Sequence, residues 1–121
     1  MRQVIVVDDE PSICLAITRA LRNLPVEVTT FTDPEQALEQ IAAKPNVFLI
    51  ISDLSMPKMD GLIFLTKARE VLPKAFRVLL TATGSSALAL ECMESGLLHR
   101  YVAKPWDNAR LRNAVMSLLN Q

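Results

Sequence analysis

Five side chains suited to metal or phosphate chemistry follow apolar, strand-like runs of the sequence directly or within two residues. They are Asp8 and Asp9 after the run 4–7, Asp53 shortly after 47–51, Thr81 after 78–80, and Lys104 after 101–103. If these runs are parallel strands of one sheet, their carboxyl ends meet at one edge, which is where such sheets bind ligands. We therefore expect three carboxylates, a hydroxyl and an ammonium group to share a site.

Three carboxylates in one site require a positive counter-charge. Two carboxylates about 5 Å apart repel by roughly 3 kcal/mol at an effective dielectric constant near 20. Mg²⁺ would relieve this repulsion, since it takes oxygen ligands and commonly joins carboxylates to phosphate. Zn²⁺ usually recruits Cys or His, and neither residue type lies at these strand ends. The sequence therefore predicts Mg²⁺ as the cofactor.

The same set contains the parts that phosphoryl transfer requires. Asp53 can act as the in-line nucleophile, while Lys104 and the Thr81 hydroxyl can bind phosphoryl oxygens. Taken singly, an Asp-Asp pair often caps a helix, a threonine can simply end a strand, and Lys-Pro can form an exposed turn. The prediction of a catalytic set therefore depends on the order of all the residues, one group for each strand end.

The elements that position these residues alternate between strand and helix patterns. The runs 4–7 and 47–51 are continuously apolar, as in parallel strands covered on both faces, and 78–80 and 101–103 are shorter versions. Val26–Phe31 alternates polar and apolar residues, which predicts a half-exposed strand at an edge of the sheet. The pattern predicts an α/β fold, a doubly wound five-stranded parallel sheet in the order 2-1-3-4-5.

Five helical patterns separate the strands. The first places Ile13, Ile17, Leu21 and Leu24 on one face, and the third ends before Pro73. The second begins with Asp33 as N-cap and Pro34 at the first helical position. The fourth, about 85–95, is apolar over more of its circumference than one buried stripe needs. It is either a well-covered helix with small alanines or a helix that offers a partner surface.

Composition limits the classes of function. The 121 residues suit one globular domain, residues 1–121, and 13 basic residues balance 13 acidic ones. This balance gives no bulk attraction to nucleic acid or to an anionic membrane. The first apolar run is too short for a signal peptide or a membrane span, which predicts a cytoplasmic protein. Cys14 and Cys92 are predicted to be buried free thiols.

Over essentially its whole length the sequence resembles the receiver domains of bacterial response regulators, which have a flavodoxin-like (βα)5 fold. Four segments carry the resemblance: VVDDE at 6–10, ISDLSMPKMDG at 51–61, LLTATG at 79–84 and RYVAKPWD at 100–107. No key residue of the family's pattern is missing from these segments.

The resemblance implies a role for each site residue. Asp53 would be the phosphoacceptor, and the metal ligands would be Asp9, Asp8 largely through water, Asp53, and the main-chain carbonyl of Ser55. Lys104 would pair with the phosphoryl group, and Thr81 and Tyr101 would be the switch residues that move with phosphorylation. The peptide bond between Lys104 and Pro105 is expected to be cis. Ser55 and Thr83 occupy the positions that tune phosphate lifetime in the family.

The function implied is a signalling switch, and not an enzyme with an outside substrate. A sensor histidine kinase or a phosphotransfer protein would phosphorylate Asp53. The surface of the fourth helix, fifth strand and fifth helix would then control an output domain in cis or a partner in trans, or form a homodimer. The segment RYVAKPWDN also resembles receivers that precede output domains of signalling enzymes, including cyclic-dinucleotide phosphodiesterases.

Two other functions are compatible with the sequence. One is a docking scaffold with a receiver fold that works without phosphorylation. The other is a small phosphatase acting through an aspartyl intermediate, for which 121 residues leave little room for a substrate cap.

Overall fold

The computed structural model describes residues 1–44, 46–82 and 86–121, in which strands and helices alternate as predicted. The strands are β1 (Arg2–Val7), β2 (Val26–Phe31), β3 (Val47–Asp53), β4 (Phe76–Thr81) and β5 (Arg100–Ala103). The helices are α1 (Pro11–Ala20), α2 (Pro34–Ala42), α3 (Gly61–Val71), α4 (Ser86–Glu94) and α5 (Asn108–Leu119).

The five strands form one parallel sheet in the order β2-β1-β3-β4-β5. The predicted fold class and strand order are confirmed. The prediction that Val26–Phe31 is an edge strand is also confirmed, because β2 pairs only with β1 among the described strands and most of its residues are partly or fully exposed. The apolar strands β1, β3 and β4 lie inside the sheet, where helices cover both faces.

Successive strand residues point to opposite faces of the sheet and so supply two separate cores. Val4, Val6 and Leu49 pack with residues of α1 and α5 on one face. Ile5 and Ile50 pack with residues of α2, α3 and α4 on the other. Each face of the sheet is thus closed by helices.

Two details of the predicted elements are corrected. Helix α1 ends at Ala20, so Leu21 is its C-cap and Leu24 lies beyond it, although both side chains remain in the core. Leu24 precedes Pro25, and the residue before proline is disfavoured in helical conformation. Cys14 is buried as predicted, but Cys92 is only partly buried, on a helix whose only buried residue is Ala89.

The beginnings of the helices follow capping rules. The predicted N-cap Asp33 accepts a hydrogen bond from the main-chain N–H of Glu35 at 2.9 Å, and Asp60 accepts one from that of Ile63 at 2.9 Å. Asp33 also forms an ion pair with Lys58 at 3.1 Å, which lowers the pKa of the Asp33 carboxyl. This ion pair joins the start of α2 to the loop that follows β3.

Helix α4 buries only Ala89, while Leu88 is 41% exposed and Leu90 is 50% exposed. This arrangement favours the partner-surface interpretation over the well-covered helix. The predicted first residue of this helix, Ser85, lies outside the described residues. In the part of the chain that the structure describes, no helix combines the length and apolar character that crossing a membrane would need.

A buried arginine ties β4 to the connection before β5. The Arg77 guanidinium donates to the main-chain oxygens of Leu97 at 2.7 Å, Ala75 at 2.9 Å and Gly96 at 3.2 Å. The Arg77 main-chain N–H donates to Nδ1 of His99 at 3.0 Å. Burial lowers the pKa of His99, and the charges of the nearby arginines lower it further. The folded protein therefore favours the neutral imidazole.

Candidate metal and phosphoacceptor site

Three carboxylates converge at the carboxyl ends of β1 and β3. The register pairs Val7 with Ser52, so the residues that follow them, Asp8 and Asp53, stand side by side. One carboxylate oxygen from each of Asp8, Asp9 and Asp53 lies within 4.8 Å of the others. The predicted convergence of the three acids is confirmed.

Lys104 lies between two of these carboxylates. It follows β5, and its Nζ is 3.0 Å from Oδ1 of Asp53 and 3.2 Å from Oδ2 of Asp8. Burial alone would lower the pKa of Lys104, but the hydrogen bond with Asp53 and the charges of both acids outweigh it and raise the pKa. The ammonium group therefore stays charged beside the acceptor. The peptide bond to Pro105 is cis, as predicted.

Asp8 is fully buried, and both of its oxygens accept hydrogen bonds. Oδ1 accepts from the main-chain N–H of Glu10 at 2.9 Å, and Oδ2 accepts from Lys104 at 3.2 Å. Burial raises the pKa of Asp8, and the charge of Asp53 adds to this effect, while the bonds from Glu10 and Lys104 oppose it. Asp8 is thus a carboxylate whose negative charge a further cation would stabilise.

Thr81, the last residue of β4, is fully buried. Among residues 1–44, 46–82 and 86–121, nothing forms a hydrogen bond with its hydroxyl. A buried hydroxyl without a partner costs free energy, which a new acceptor nearby would recover. The main-chain oxygen of Thr81 accepts from the N–H of Lys104 at 2.7 Å, so the two residues are held at one edge of the sheet.

Two predicted site residues lie outside the convergent group. Ser55 is exposed in the loop after β3, and its role as a carbonyl ligand stays a prediction. Tyr101 lies on β5, partly buried against the core cluster that includes Leu79 and Ala89, and its switch role also stays a prediction. Thr83 is outside the described residues.

Several contacts around the acceptor escaped the sequence reasoning. The Cys14 thiol donates to the main-chain oxygen of Asp8 at 3.4 Å, and the Ser52 hydroxyl donates to that of Asp53 at 2.9 Å. The main chain of Gly61 packs directly against that of Asp53. Local sequence patterns give no signal for any of these contacts.

The donor set fits Mg²⁺. Ligand atoms on opposite sides of an octahedral Mg²⁺ ion lie about 4.2 Å apart, given bonds of 2.0–2.1 Å. The 4.8 Å limit on the three carboxylate oxygens is compatible with a shared ion after small side-chain adjustments. The three groups offer only oxygen, and the partial exposure of Asp9 leaves room for water ligands.

Comparison with known proteins agrees with this geometry. The response regulator receiver domain model matches residues 4–116, so the chain belongs to that family. It is 34% identical over 116 residues to a probable chemotaxis protein CheY of Rhizobium etli, covering 93% of this chain and 88% of that protein.

A second relative is much longer than this chain. The sequence is 36% identical over 103 residues to the DNA-binding transcriptional regulator NtrC of Escherichia coli K12, covering 84% of this chain but only 21% of NtrC. Among solved structures, a response regulator receiver domain protein of Clostridium thermocellum superposes with a TM-score of 0.89 at 26% identity, covering 99% of this chain and 95% of that one. The chain is thus a two-component receiver domain of the phosphoacceptor family, which acts as a signalling switch.

Proposed function

We propose that this domain takes a phosphoryl group onto Asp53 from a histidine kinase or a phosphotransfer protein, with Mg²⁺ held by Asp8, Asp9, Asp53 and the main-chain carbonyl of Ser55. The observation that carries the proposal is the meeting of three carboxylates with Lys104 Nζ, which is 3.0 Å from the Asp53 carboxylate. Bound Mg²⁺ would neutralise the acids and one phosphoryl oxygen. We further propose that residues 1–121 act as one receiver domain.

In the transfer step, a carboxylate oxygen of Asp53 attacks phosphorus and the bond from phosphorus to the donor's imidazole nitrogen breaks. The imidazole keeps the electron pair of that bond. Lys104 would move from its contact with the free carboxylate to a phosphoryl oxygen, which it can do because its side chain is 24% exposed. Later attack by water on phosphorus returns the Asp53 carboxylate and releases inorganic phosphate.

The donor can approach through an open groove beside the site. This groove of about 760 Å³ lies between α1 and the segment after β5, and its lining includes Glu10, Ile13, Lys104 and Trp106. Apolar side chains line the groove together with the lysine that contacts the acceptor. A helix of a donor protein could pack there and present its phosphohistidine to Asp53.

Phosphorylation would alter the surface formed by α4, β5 and α5. The unpartnered Thr81 hydroxyl would gain a phosphoryl oxygen as acceptor, and Tyr101 would turn inward with it. The exposed Leu88 and Leu90 of α4 belong to this surface. An output domain in cis, a protein partner or a second copy of the chain would bind the altered surface.

The proposal gives the domain no outside substrate and no direct contact with nucleic acid or membrane. Formal charges on the 121 residues sum to zero, so no bulk attraction draws the domain to polyanions. A cytoplasmic location is part of the proposal, because a histidine kinase obtains its phosphoryl group from cytoplasmic ATP.

The test is incubation with a small phosphodonor, such as acetyl phosphate, followed by intact-mass measurement. We expect a gain of one phosphoryl group that requires Mg²⁺ and is absent in Asp53→Asn. A gain that persists in Asp53→Asn would remove Asp53 from the role. Tight binding of a partner that ignores both Asp53→Asn and Mg²⁺ removal would favour the docking scaffold, and sustained turnover of a foreign phosphomonoester would favour the phosphatase.

A further inference from the structure

The main-chain carbonyl of Asp53 is contacted from two directions. The Ser52 hydroxyl, fully buried, donates to this oxygen at 2.9 Å. Gly61 approaches it so closely that an added Cβ would lie 2.1 Å from the Asp53 oxygen and 2.9 Å from both the Asp53 carbonyl carbon and the Leu54 Cα. Real Cβ atoms do not come so close to backbone atoms, so this position requires glycine.

Hydrogen bonds and core packing fix the segments next to the Asp53 carbonyl. Gly61 begins α3 and donates its N–H to the Leu54 oxygen at 2.8 Å, and the fully buried Phe64 anchors the helix in the core. On the other side, the Leu54 N–H donates to the Leu80 oxygen at 3.0 Å, which fixes the end of β3 to β4. A change at the Gly61 contact must therefore displace either α3 or the acceptor peptide.

We propose that Ser52 and Gly61 are positioning residues that set the place of the Asp53 carboxylate through its main chain. This inference rests on the proposed phosphoacceptor function of Asp53. The Ser52 hydroxyl and the Gly61 main chain both contact the Asp53 carbonyl, so both would act through the main chain of the acceptor.

The displacement that an alanine at position 61 would cause is large enough to disturb the site. A Cβ at position 61 needs about 3.4 Å to the Asp53 oxygen, so the two segments must separate by about 1.3 Å from the 2.1 Å that the structure allows. The Asp53 carboxylate oxygen now lies within 4.8 Å of those of Asp8 and Asp9, and to share an octahedral ion the three oxygens must come within about 4.2 Å of one another. A misplacement of about 1 Å can slow an oriented reaction about 100-fold.

The competing explanation is that Gly61 and Ser52 serve folding alone. Gly96 provides the matched control, because its φ of +86° makes alanine strained there as well. Among the residues that the structure describes, the nearest atom to its added Cβ would be in the Arg69 guanidinium, at 4.0 Å. Gly96→Ala should thus lower stability without moving the acceptor.

The experiment compares wild type, Gly61→Ala, Ser52→Ala and Gly96→Ala at a temperature where melting curves show each folded. Mg²⁺ affinity is read from the fluorescence of Trp106, the only tryptophan, with calorimetry as a second readout. The phosphorylation rate with acetyl phosphate is read from intact mass. We expect Gly61→Ala to bind Mg²⁺ about 10-fold more weakly and to be phosphorylated about 100-fold more slowly. Ser52→Ala should slow the reaction about 3- to 10-fold, since it loses one hydrogen bond, and Gly96→Ala should match wild type within about twofold.

Gly61→Ala that behaves like Gly96→Ala in both Mg²⁺ affinity and rate would overturn the inference. If Gly61→Ala does not fold, Ser52→Ala decides: a rate and a Mg²⁺ affinity equal to those of wild type overturn the inference, and the predicted slowing supports it. Wild-type protein that gains no phosphoryl group would refute the proposed function itself, which separates the two failures.

Discussion

The three clustered acids should make the metal-free domain less stable than a variant that lacks one of them. Asp9→Ala removes the repulsion of Asp9 with both Asp8 and Asp53. At 4.8 Å, the upper limit on the separation of their oxygens, each pair repels by roughly 3.5 kcal/mol at an effective dielectric constant of 20. Lys104, which contacts the Asp8 and Asp53 carboxylates, neutralises part of the charge that repels Asp9.

The exposure of Asp9 to solvent further reduces the repulsion that Asp9→Ala would relieve. Asp9 is partly exposed, so solvent screens its charge, and we expect a net gain of about 1 kcal/mol in the free energy of unfolding. For a domain of this size that gain raises Tm by about 4 °C.

Bound Mg²⁺ should make the wild type more stable than Asp9→Ala, the reverse of the metal-free order. At a Mg²⁺ concentration about 100-fold above Kd, binding stabilises the wild type by about 2.7 kcal/mol. Asp9→Ala lacks a ligand and gains almost nothing, so it becomes the less stable protein by roughly 1.7 kcal/mol. The assay is urea unfolding followed by circular dichroism, in EDTA and in saturating Mg²⁺.

Glu10→Ala is the matched control, because Glu10 is an exposed neighbouring acid whose side chain caps no helix. It should change stability by less than about 0.5 kcal/mol in either buffer. An Asp9→Ala protein that is no more stable than wild type in EDTA would refute the reasoning. So would one whose free energy of unfolding rises with Mg²⁺ as much as that of the wild type.

Three further predictions concern single side chains. The free energy of unfolding should fall as pH drops below about 6.5, because the folded state lowers the pKa of His99 and the unfolded chain then binds more protons. Urea unfolding measured at a series of pH values should show this slope, and His99→Gln should flatten it. Lys104→Met should lower metal-free stability by about 1–3 kcal/mol and abolish phosphorylation of Asp53, because it leaves Asp8 and Asp53 to repel each other. Thr81→Ala should keep stability within about 1 kcal/mol and preserve phosphorylation while abolishing the phosphorylation-dependent change in partner binding, since its hydroxyl forms no bond within the described residues.

Each of these has a clear contrary result. A pH slope that is identical in His99→Gln would exclude His99 as its source. Lys104→Met with undiminished phosphorylation would show that its charge is dispensable. Loss of more than about 2 kcal/mol in Thr81→Ala, with full retention in Thr81→Ser, would show that the hydroxyl is already bonded in the resting state.

The strand order and the meeting of the three acids could be predicted because both follow from patterns that act over short stretches. Continuous apolar runs mark buried parallel strands, and the residue after such a run lies at the sheet edge. Asp8, Asp53 and Lys104 were therefore predictable from their positions alone. The end of α1 was misplaced because Leu24 is buried from a turn, and an apolar spacing does not distinguish that from one more helical turn.

The supports of the acceptor could not be predicted. The Ser52 hydroxyl and the Gly61 main chain meet the Asp53 carbonyl through the three-dimensional path of the β3–α3 loop, for which a serine in a strand and an Asp-Gly pair give no signal. Such contacts depend on tertiary packing and not on local sequence.

A calorimetric titration with Mg²⁺ tests most directly whether Asp8, Asp9 and Asp53 hold one ion. Saturable binding of a single ion to each chain, lost in Asp9→Ala and retained in Glu10→Ala, is the predicted result. Binding that is absent in the wild type, or that survives Asp9→Ala unchanged, would contradict the site on which the proposed phosphorylation depends.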